Sequence, residues 1–128
     1  MVKVAVSTLT APKAIGPYSQ AIRCGNLLFV SGQIALDAET GALVGSTIEE
    51  QTEKVLKNVS SILKCQSLDW DSVVKVTVFL KNMSDFPNFN EIYGRYLNSP
   101  YPARATVAVA GLPKDALVEV EVLAYFQS

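Results

Sequence analysis

Apolar and polar residues alternate most clearly near the end of the chain, where the pattern predicts a β-strand. Between residues 118 and 125, alternate side chains fall on opposite faces of this strand. One face carries Val118, Val120, Val122 and Ala124, and the other carries Glu119, Glu121, Leu123 and Tyr125. We expect the first face to be buried and the second, with its two carboxylates, to meet water or a partner.

Further apolar runs predict the rest of a sheet. They are Val2–Val6 as an edge strand, Tyr18–Cys24, Leu27–Gln33 and Val73–Lys81. Gly25-Asn26, between the second and third runs, predicts a two-residue hairpin. Another short strand after Pro100 leads through a turn at residues 111–115 into the last strand. In the fourth run, the residues expected to share one face are Val74, Val76, Val78 and Leu80.

Two helices are predicted between these strands. Ser46 and Glu49 have the spacing of a capping box, which predicts the start of the first helix. Its apolar stripe consists of Ile48, Thr52, Val55, Leu56, Val59, Ile62 and Leu63. We expect Ser84 to cap the second helix, with Pro87 in its first turn and Asn98-Ser99-Pro100 at its end. The inner stripe of the second helix is expected to be Phe86, Phe89, Asn90, Tyr93 and Leu97.

The order of strands, helix, strand, helix and strands indicates a single α+β domain over residues 1–128. We predict a mostly antiparallel sheet with two helices packed on one face. The other face is left uncovered and carries the apolar side chains of Phe79, Leu123 and Tyr125. Because soluble proteins seldom expose such surface, we expect self-association to cover it.

The composition excludes several classes of protein. A net charge of −1 offers no electrostatic basis for binding nucleic acid or an anionic membrane. The absence of histidine excludes His-ligated metal sites and His-based catalytic triads within this chain. The two cysteines, Cys24 and Cys65, have no metal or redox spacing and are interpreted as reduced thiols of a cytosolic protein. No apolar run approaches the roughly 20 residues of a membrane span.

Charged residues within apolar strands are the candidates for chemistry. Arg104 follows Pro102-Ala103, and Glu119 and Glu121 lie in the last strand. Such carboxylates usually form the solvated side of an antiparallel strand, and an arginine at a strand start usually extends into water. From these residues alone, the charges could belong either to a solvated surface of the sheet or to a functional site.

Four blocks of sequence occur in an order that resembles the reactive intermediate deaminase family, also called RidA or YjgF-like. The first three are residues 14–21 (AIGPYSQA), Ser31-Gly32-Gln33-Ile34 and Val73–Leu80, which fits as the central strand. The fourth is a C-terminal signature made of Pro102-Ala103-Arg104, Leu112-Pro113-Lys114-Asp115 and Glu119-Val120-Glu121. The resemblance covers nearly the whole chain, and four blocks in the right order make it specific.

The resemblance implies a chorismate-mutase-like fold of the bacillus type, assembled as a homotrimer with active sites in the clefts between subunits. It implies hydrolysis of 2-iminobutanoate, 2-iminopropanoate and related enamines such as 2-aminoacrylate to 2-oxo acids and ammonia. No metal or other cofactor is implied. The expected partners are the small imine or 2-oxo acid and further copies of the chain, without nucleic acid or membrane. The expected location is the cytoplasm, or an organelle if a leader was removed.

The same resemblance assigns catalytic roles to three residues. Arg104 would bind the substrate carboxylate, because its planar guanidinium can contact both oxygens. Glu119 would manage the protons of the attacking water, as a general base or proton shuttle. Tyr18 would pack on the substrate and donate a hydrogen bond from its hydroxyl, although a half-buried aromatic residue of a strand is an equal alternative.

Three further residues are expected to bind substrate. Gly32 matches a position whose backbone lines the site, and a glycine permits close approach of a ligand. Asn90 matches an asparagine that is often present, although a helix residue facing the sheet is an equal alternative. Thr106 stands where some relatives have a cysteine, which excludes a thiol role. Its backbone N–H could still contact the substrate carboxylate.

Two other functions are compatible with these residues. The chain could be a non-catalytic sensor of 2-oxo acids, or a holdase or translation-inhibitor-like protein. An acidic pI of about 5.4 and the lack of a basic stripe argue against RNA binding. Alternatively, Arg104 and Glu119 could serve only as an interface ion pair of a structural subunit. The sequence does not decide whether these two residues meet within one chain or between two.

Overall fold

A six-stranded sheet forms the body of the protein in the computed structural model, which describes residues 2–127. The strands are β1 (Lys3–Val6), β2 (Ala21–Cys24), β3 (Leu27–Gln33), β4 (Val73–Leu80), β5 (Ala103–Ala108) and β6 (Val118–Tyr125). They lie in the order β1-β2-β3-β6-β4-β5. All neighbours pair antiparallel except β4 and β5, which are parallel. The predicted edge strand at Val2–Val6 and the hairpin at Gly25-Asn26 are confirmed.

Two helices, α1 (Ile48–Cys65) and α2 (Phe86–Gly94), pack on one face of this sheet. The predicted stripe of α1 is buried in full, and Phe89 of α2 enters the same core. The inward residues of β6 are also buried, whereas Glu121 and Tyr125 on its other face are exposed. The predicted α+β architecture is therefore confirmed, but β4 is not the central strand: it lies one strand in from the β5 edge, and β3 and β6 occupy the middle of the sheet. None of the described helices is long and apolar enough to cross a membrane.

The strand predicted at Tyr18–Cys24 begins only at Ala21. The three residues before it belong to a loop held by the buried side chain of Gln20. The Gln20 Oε1 accepts from the backbone N–H of Thr8 at 2.7 Å, and Nε2 donates to the Pro12 carbonyl at 2.7 Å. Local side-chain hydrogen bonds thus replace the strand ladder here.

The capping box of α1 lies one residue later than predicted. Thr47, not Ser46, is the N-cap, and its hydroxyl accepts from the backbone N–H of Glu50 at 3.2 Å. The Glu50 carboxylate accepts from the backbone N–H groups of Ser46 at 3.1 Å and Thr47 at 3.2 Å. These hydrogen bonds lower the pKa of Glu50 below its ordinary value. Two overlapping S/T-x-x-E patterns made the choice of frame ambiguous from sequence.

Val74 does not share the buried face of β4, contrary to prediction. The register of β4 against β6 shifts between Val73 and Lys75, so Val74 is an extra residue in a bulge. Val74 is consequently 40% exposed, while Val73, Val76, Val78 and Leu80 face the core. The regular alternation holds only beyond the bulge.

The second helix differs from its prediction at both ends. Ser84 lies in a single 3-10 turn, Met83–Asp85, and α2 follows without a side-chain cap. Pro87 does lie in the first turn, as predicted. The helix stops at Gly94, a poor helix former, so Leu97 is buried beyond its end. Asn90 is exposed, and Ile92 is buried instead.

Thr47→Ala is expected to lower the free energy of unfolding by about 1 kcal/mol, because the N-cap hydroxyl acceptor is lost. Ser46→Ala is the matched control and should have little effect, since Ser46 contributes a backbone N–H to the box. Urea denaturation followed by circular dichroism measures both. A larger loss for Ser46→Ala than for Thr47→Ala would contradict this assignment of the cap.

Candidate active site

The sheet separates the predicted site residues into two groups on opposite faces. Paired residues of neighbouring strands point to the same face. Arg104 pairs with Val76, which is fully buried beneath the helices, so Arg104 lies on the helix face. Glu119 pairs with Phe79 and lies on the open face.

On the open face, the Glu119 carboxylate lies directly over Gly32. The register of β3 against β6 shifts between Val30 and Gln33, so Ser31 and Gly32 form a bulge there. A Cβ atom built on Gly32 would collide with the Glu119 Oε2 and would lie 2.9 Å from its Cδ. Glycine at position 32 is therefore what allows the carboxylate to occupy this place.

The environment of Glu119 favours its protonated form. Burial is the larger cause that raises the pKa of Glu119 above its ordinary value, and the negative charge of Glu121 adds to it. In the described part of the chain, no cation lies within 4 Å of this carboxylate. A carboxyl group whose pKa is raised in this way holds a proton more readily than a free glutamate and can still give it up, as proton transfer requires.

Tyr18 joins Gly32 and Glu119 around a cavity of about 460 Å³. Its loop is tied to the bulge, because Ser31 donates from its hydroxyl to the Ser19 carbonyl at 2.6 Å. The Ser31 N–H also donates to the Gln20 carbonyl at 3.0 Å. The far wall of the cavity is formed by the turns at residues 37–41 and 113–114. Three of the six predicted site residues thus share one cavity.

On the helix face, Arg104 lies against α2. Its Nη1 donates to the Asn90 Oδ1 at 2.7 Å. Its Cζ lies 4.8 Å from the centroid of the Tyr93 ring and 5.4 Å from that of Phe86. The structure therefore brings Arg104 and Asn90 together, and it adds two aromatic residues for which the sequence predicted only core packing.

Thr106 lies on the same face as Arg104, because it pairs with the buried Val78. Its hydroxyl oxygen is buried and has no hydrogen-bond partner within residues 2–127. Unpaired buried hydroxyls are uncommon and costly. Thr106 thus lies on the same face as Arg104 and Asn90, and its hydroxyl is not accessible in the single chain; its role in substrate binding stays a prediction.

Arg104 and Glu119 do not meet within one chain. Arg104 is linked through Val76 to Val122, three residues along β6 from Glu119. Strand spacing and rise then put the two Cα atoms about 14 Å apart, with side chains on opposite faces. One chain carries both halves of the predicted site, but they are not assembled.

The family model described as endoribonuclease L-PSP matches residues 8–126. This chain belongs to the endoribonuclease L-PSP family. Reactive intermediate deaminase A of Arabidopsis thaliana, a chloroplastic protein, is 51% identical over 122 residues, which are 95% of this chain and 65% of that protein. Human 2-iminobutanoate/2-iminopropanoate deaminase is 44% identical over 124 residues, covering 97% of this chain and 90% of that protein.

Solved structures show the same L-PSP fold. The crystal structure of Escherichia coli TdcF with bound serine superimposes with a TM-score of 0.91 at 35% identity, covering 97% of this chain and 99% of that one. The resemblance to the reactive intermediate deaminases and the predicted fold class are thereby confirmed. The number of subunits and the roles of the site residues stay predictions.

The sequence of this L-PSP chain does contain the pattern that places Phe86 and Tyr93 beside Asn90, but the pattern predicted core packing rather than contact with Arg104. Phe86, Asn90 and Tyr93 are spaced i, i+4 and i+7, which places them on one helix face. Without the β4–β5 pairing, nothing in the sequence placed Arg104 on that face. Among the described residues, no group of three or more histidine, cysteine or acidic side chains could hold a metal ion.

Gly32→Ala is expected to displace the Glu119 carboxylate with little loss of stability, because the clash involves the end of a flexible side chain. Because the displaced carboxylate would be more exposed to water, the pKa of Glu119 should fall back toward its ordinary value. Carboxyl carbon NMR titration measures this. Gly111→Ala is the matched control, since a Cβ there meets nothing within 4 Å. An unchanged Glu119 titration in Gly32→Ala would contradict the contact.

Proposed function

We propose that residues 1–128 act as one domain that hydrolyses 2-iminobutanoate, 2-iminopropanoate and enamines such as 2-aminoacrylate to 2-oxo acids and ammonia. The observation that carries the proposal is a pair of charged side chains on the sheet without an ion-pair partner in residues 2–127: the Arg104 guanidinium, and the Glu119 carboxylate with its raised pKa. The names of the Arabidopsis and human relatives support the same reaction.

Arg104 supplies the anion-binding half of this site. No carboxylate lies within 4 Å of it in the described part of the chain, so its charge is available to a ligand. A guanidinium binds both oxygens of a carboxylate in one plane and so fixes the orientation of a small planar acid. A substrate held in this way presents its C=N carbon in one direction only.

Glu119 supplies the proton-transfer half. The water oxygen forms a bond to the C=N carbon, and the π electron pair moves to nitrogen. Glu119 takes a proton from the water and returns one to nitrogen. Glu119 then takes the remaining proton from the hydroxyl of the tetrahedral intermediate and passes it to the amine nitrogen, so that the C=O bond forms as the C–N bond breaks and ammonia and the 2-oxo acid are released. Its raised pKa suits both transfers, and the hydroxyl of Tyr18 can donate to the substrate beside it.

The two halves belong to different copies of the chain in this proposal. Arg104 and Glu119 lie on opposite faces, so a single chain cannot present both to a ligand of a few atoms. The open face also carries exposed apolar side chains, Leu27, Phe29 and Tyr125 among them, which a second copy would cover. We propose the homotrimer that the family resemblance implies, with each site between two subunits.

We also propose that the protein works in the cytoplasm. Cys24 and Cys65 are both free thiols, which suits a reducing compartment.

Imine turnover by the purified protein, without added cofactor, tests the function. Ammonia release from 2-aminoacrylate, generated by a serine dehydratase, should accelerate with the wild type. It should fall at least about 100-fold in Arg104→Ala and in Glu119→Gln. Glu121→Gln is the matched control on the same strand and face. Glu121→Gln should stay active, and the acidic side of its pH–activity profile should move to lower pH. Removing the Glu121 charge lowers the pKa of Glu119, which must be ionised to accept a proton.

Wild-type turnover in Arg104→Ala or Glu119→Gln would remove that residue from the reaction. Binding of pyruvate by a wild type that leaves the imine lifetime unchanged would instead favour the sensor of 2-oxo acids. Dissociation of the assembly in either variant, measured by light scattering, would favour the structural ion pair.

Mixing two inactive chains tests whether the site lies between subunits. Arg104→Ala and Glu119→Gln chains, unfolded together in equal amounts and refolded, should regain about a quarter of wild-type activity. Each site draws an intact Arg104 from one chain and an intact Glu119 from its neighbour, each with even odds. Each variant refolded alone is the control. Absence of any recovery, with mixed assemblies present by mass spectrometry, would contradict a shared site.

A further inference from the structure

Arg104 is held in place without being neutralised. Its neighbours on α2 are an amide oxygen and two aromatic rings, from Asn90, Phe86 and Tyr93. We infer that these three residues form an uncharged cradle that orients the guanidinium and preserves its charge for the ligand. Phe86, Asn90 and Tyr93 are positioning residues in this view, and the inference rests on the proposed function.

The cradle is built from one face of one helix. Residues at i, i+4 and i+7 follow each other along that face, so Phe86, Asn90 and Tyr93 form a row beside β5. The amide of Asn90 contacts an Nη atom at 2.7 Å, and the rings lie within 6 Å of the Cζ. Both ring distances fall in the range of cation–π attraction.

The cradle is anchored in the core. Tyr93 is only 6% exposed, and its ring stacks on that of Phe89 at 5.5 Å with an interplanar angle of 28°. Phe89 is fully buried. Arg104 belongs to an exposed edge strand. Its contact with Tyr93 nevertheless connects its side chain to the packed core. Burial raises the pKa of Tyr93, and the Arg104 charge partly opposes that effect.

The choice of uncharged neighbours has an electrostatic consequence. Glu91, next to Asn90 in sequence, pairs instead with Arg95 at 3.3 Å. A carboxylate in the place of Asn90 would hold the guanidinium equally well, but it would repel an anionic ligand and reduce the net charge that attracts it. An uncharged neighbour such as Asn90 orients the Arg104 guanidinium and also leaves its full positive charge available to the ligand.

Asn90→Asp separates these two effects. The substitution keeps the shape and the acceptor oxygen, so Arg104 stays oriented while its charge is compensated. We expect the KM for 2-aminoacrylate and the Kd for pyruvate to rise about tenfold, with kcat changed less. Phe86→Leu should raise both constants about two- to fivefold, and Phe86→Tyr, which keeps the ring, should restore them.

The chain offers a matched control in a second arginine–aromatic pair. The Cζ of Arg23 lies 3.8 Å from the centroid of the Phe126 ring, away from the cavity and from α2. Phe126→Leu should leave KM and Kd unchanged. Thermal unfolding of each variant checks that the fold is retained.

The outcomes separate this inference from the function on which it rests. Wild-type KM and Kd in both Asn90→Asp and Phe86→Leu, with normal catalysis by the parent, would overturn the cradle alone. Pyruvate binding that weakens in these variants, in a parent that does not hydrolyse the imine, would support the cradle and overturn the deaminase. A parent that neither binds pyruvate nor hydrolyses the imine would overturn both.

Discussion

The register of β6 against its two neighbours decides which face of the sheet each functional side chain occupies. Val118, Val120 and Val122 are buried under the helices, so the intervening Glu119 and Glu121 must point to the open face. A slip of one residue would exchange the two faces and bury both carboxylates. Because the parallel pairing of β5 continues the same alternation, the buried valines also determine that Arg104 points the other way.

Strands and helices with regular periodicity could be predicted from the sequence, because a buried face repeats every two residues or every three to four. The last strand and the stripe of α1 follow this rule throughout. The errors fall where the period breaks. Val74 occupies a bulge, Tyr18 belongs to a loop held by Gln20, and α2 starts from a 3-10 turn rather than from Ser84.

The site was predictable only in part, for a related reason. Arg104 and Glu119 could be chosen as charges within apolar strands, and the resemblance assigned them roles. Their relation in space depends on β4 lying between β5 and β6, which is a long-range pairing that no local pattern encodes. The contact of Asn90 with Arg104 depends on the same pairing, because it brings the edge strand beside α2.

The contact between Glu119 and Gly32 links two positions that are far apart in the chain. A substitution at Gly32 is constrained as long as Glu119 is present, because any side chain at position 32 would occupy the volume that the Glu119 carboxylate fills. Among related proteins, a larger residue at the first position should coincide with a shorter or missing acid at the second. Residues 32 and 119 are therefore expected to change together during evolution, and relatives should be compared at both positions at once.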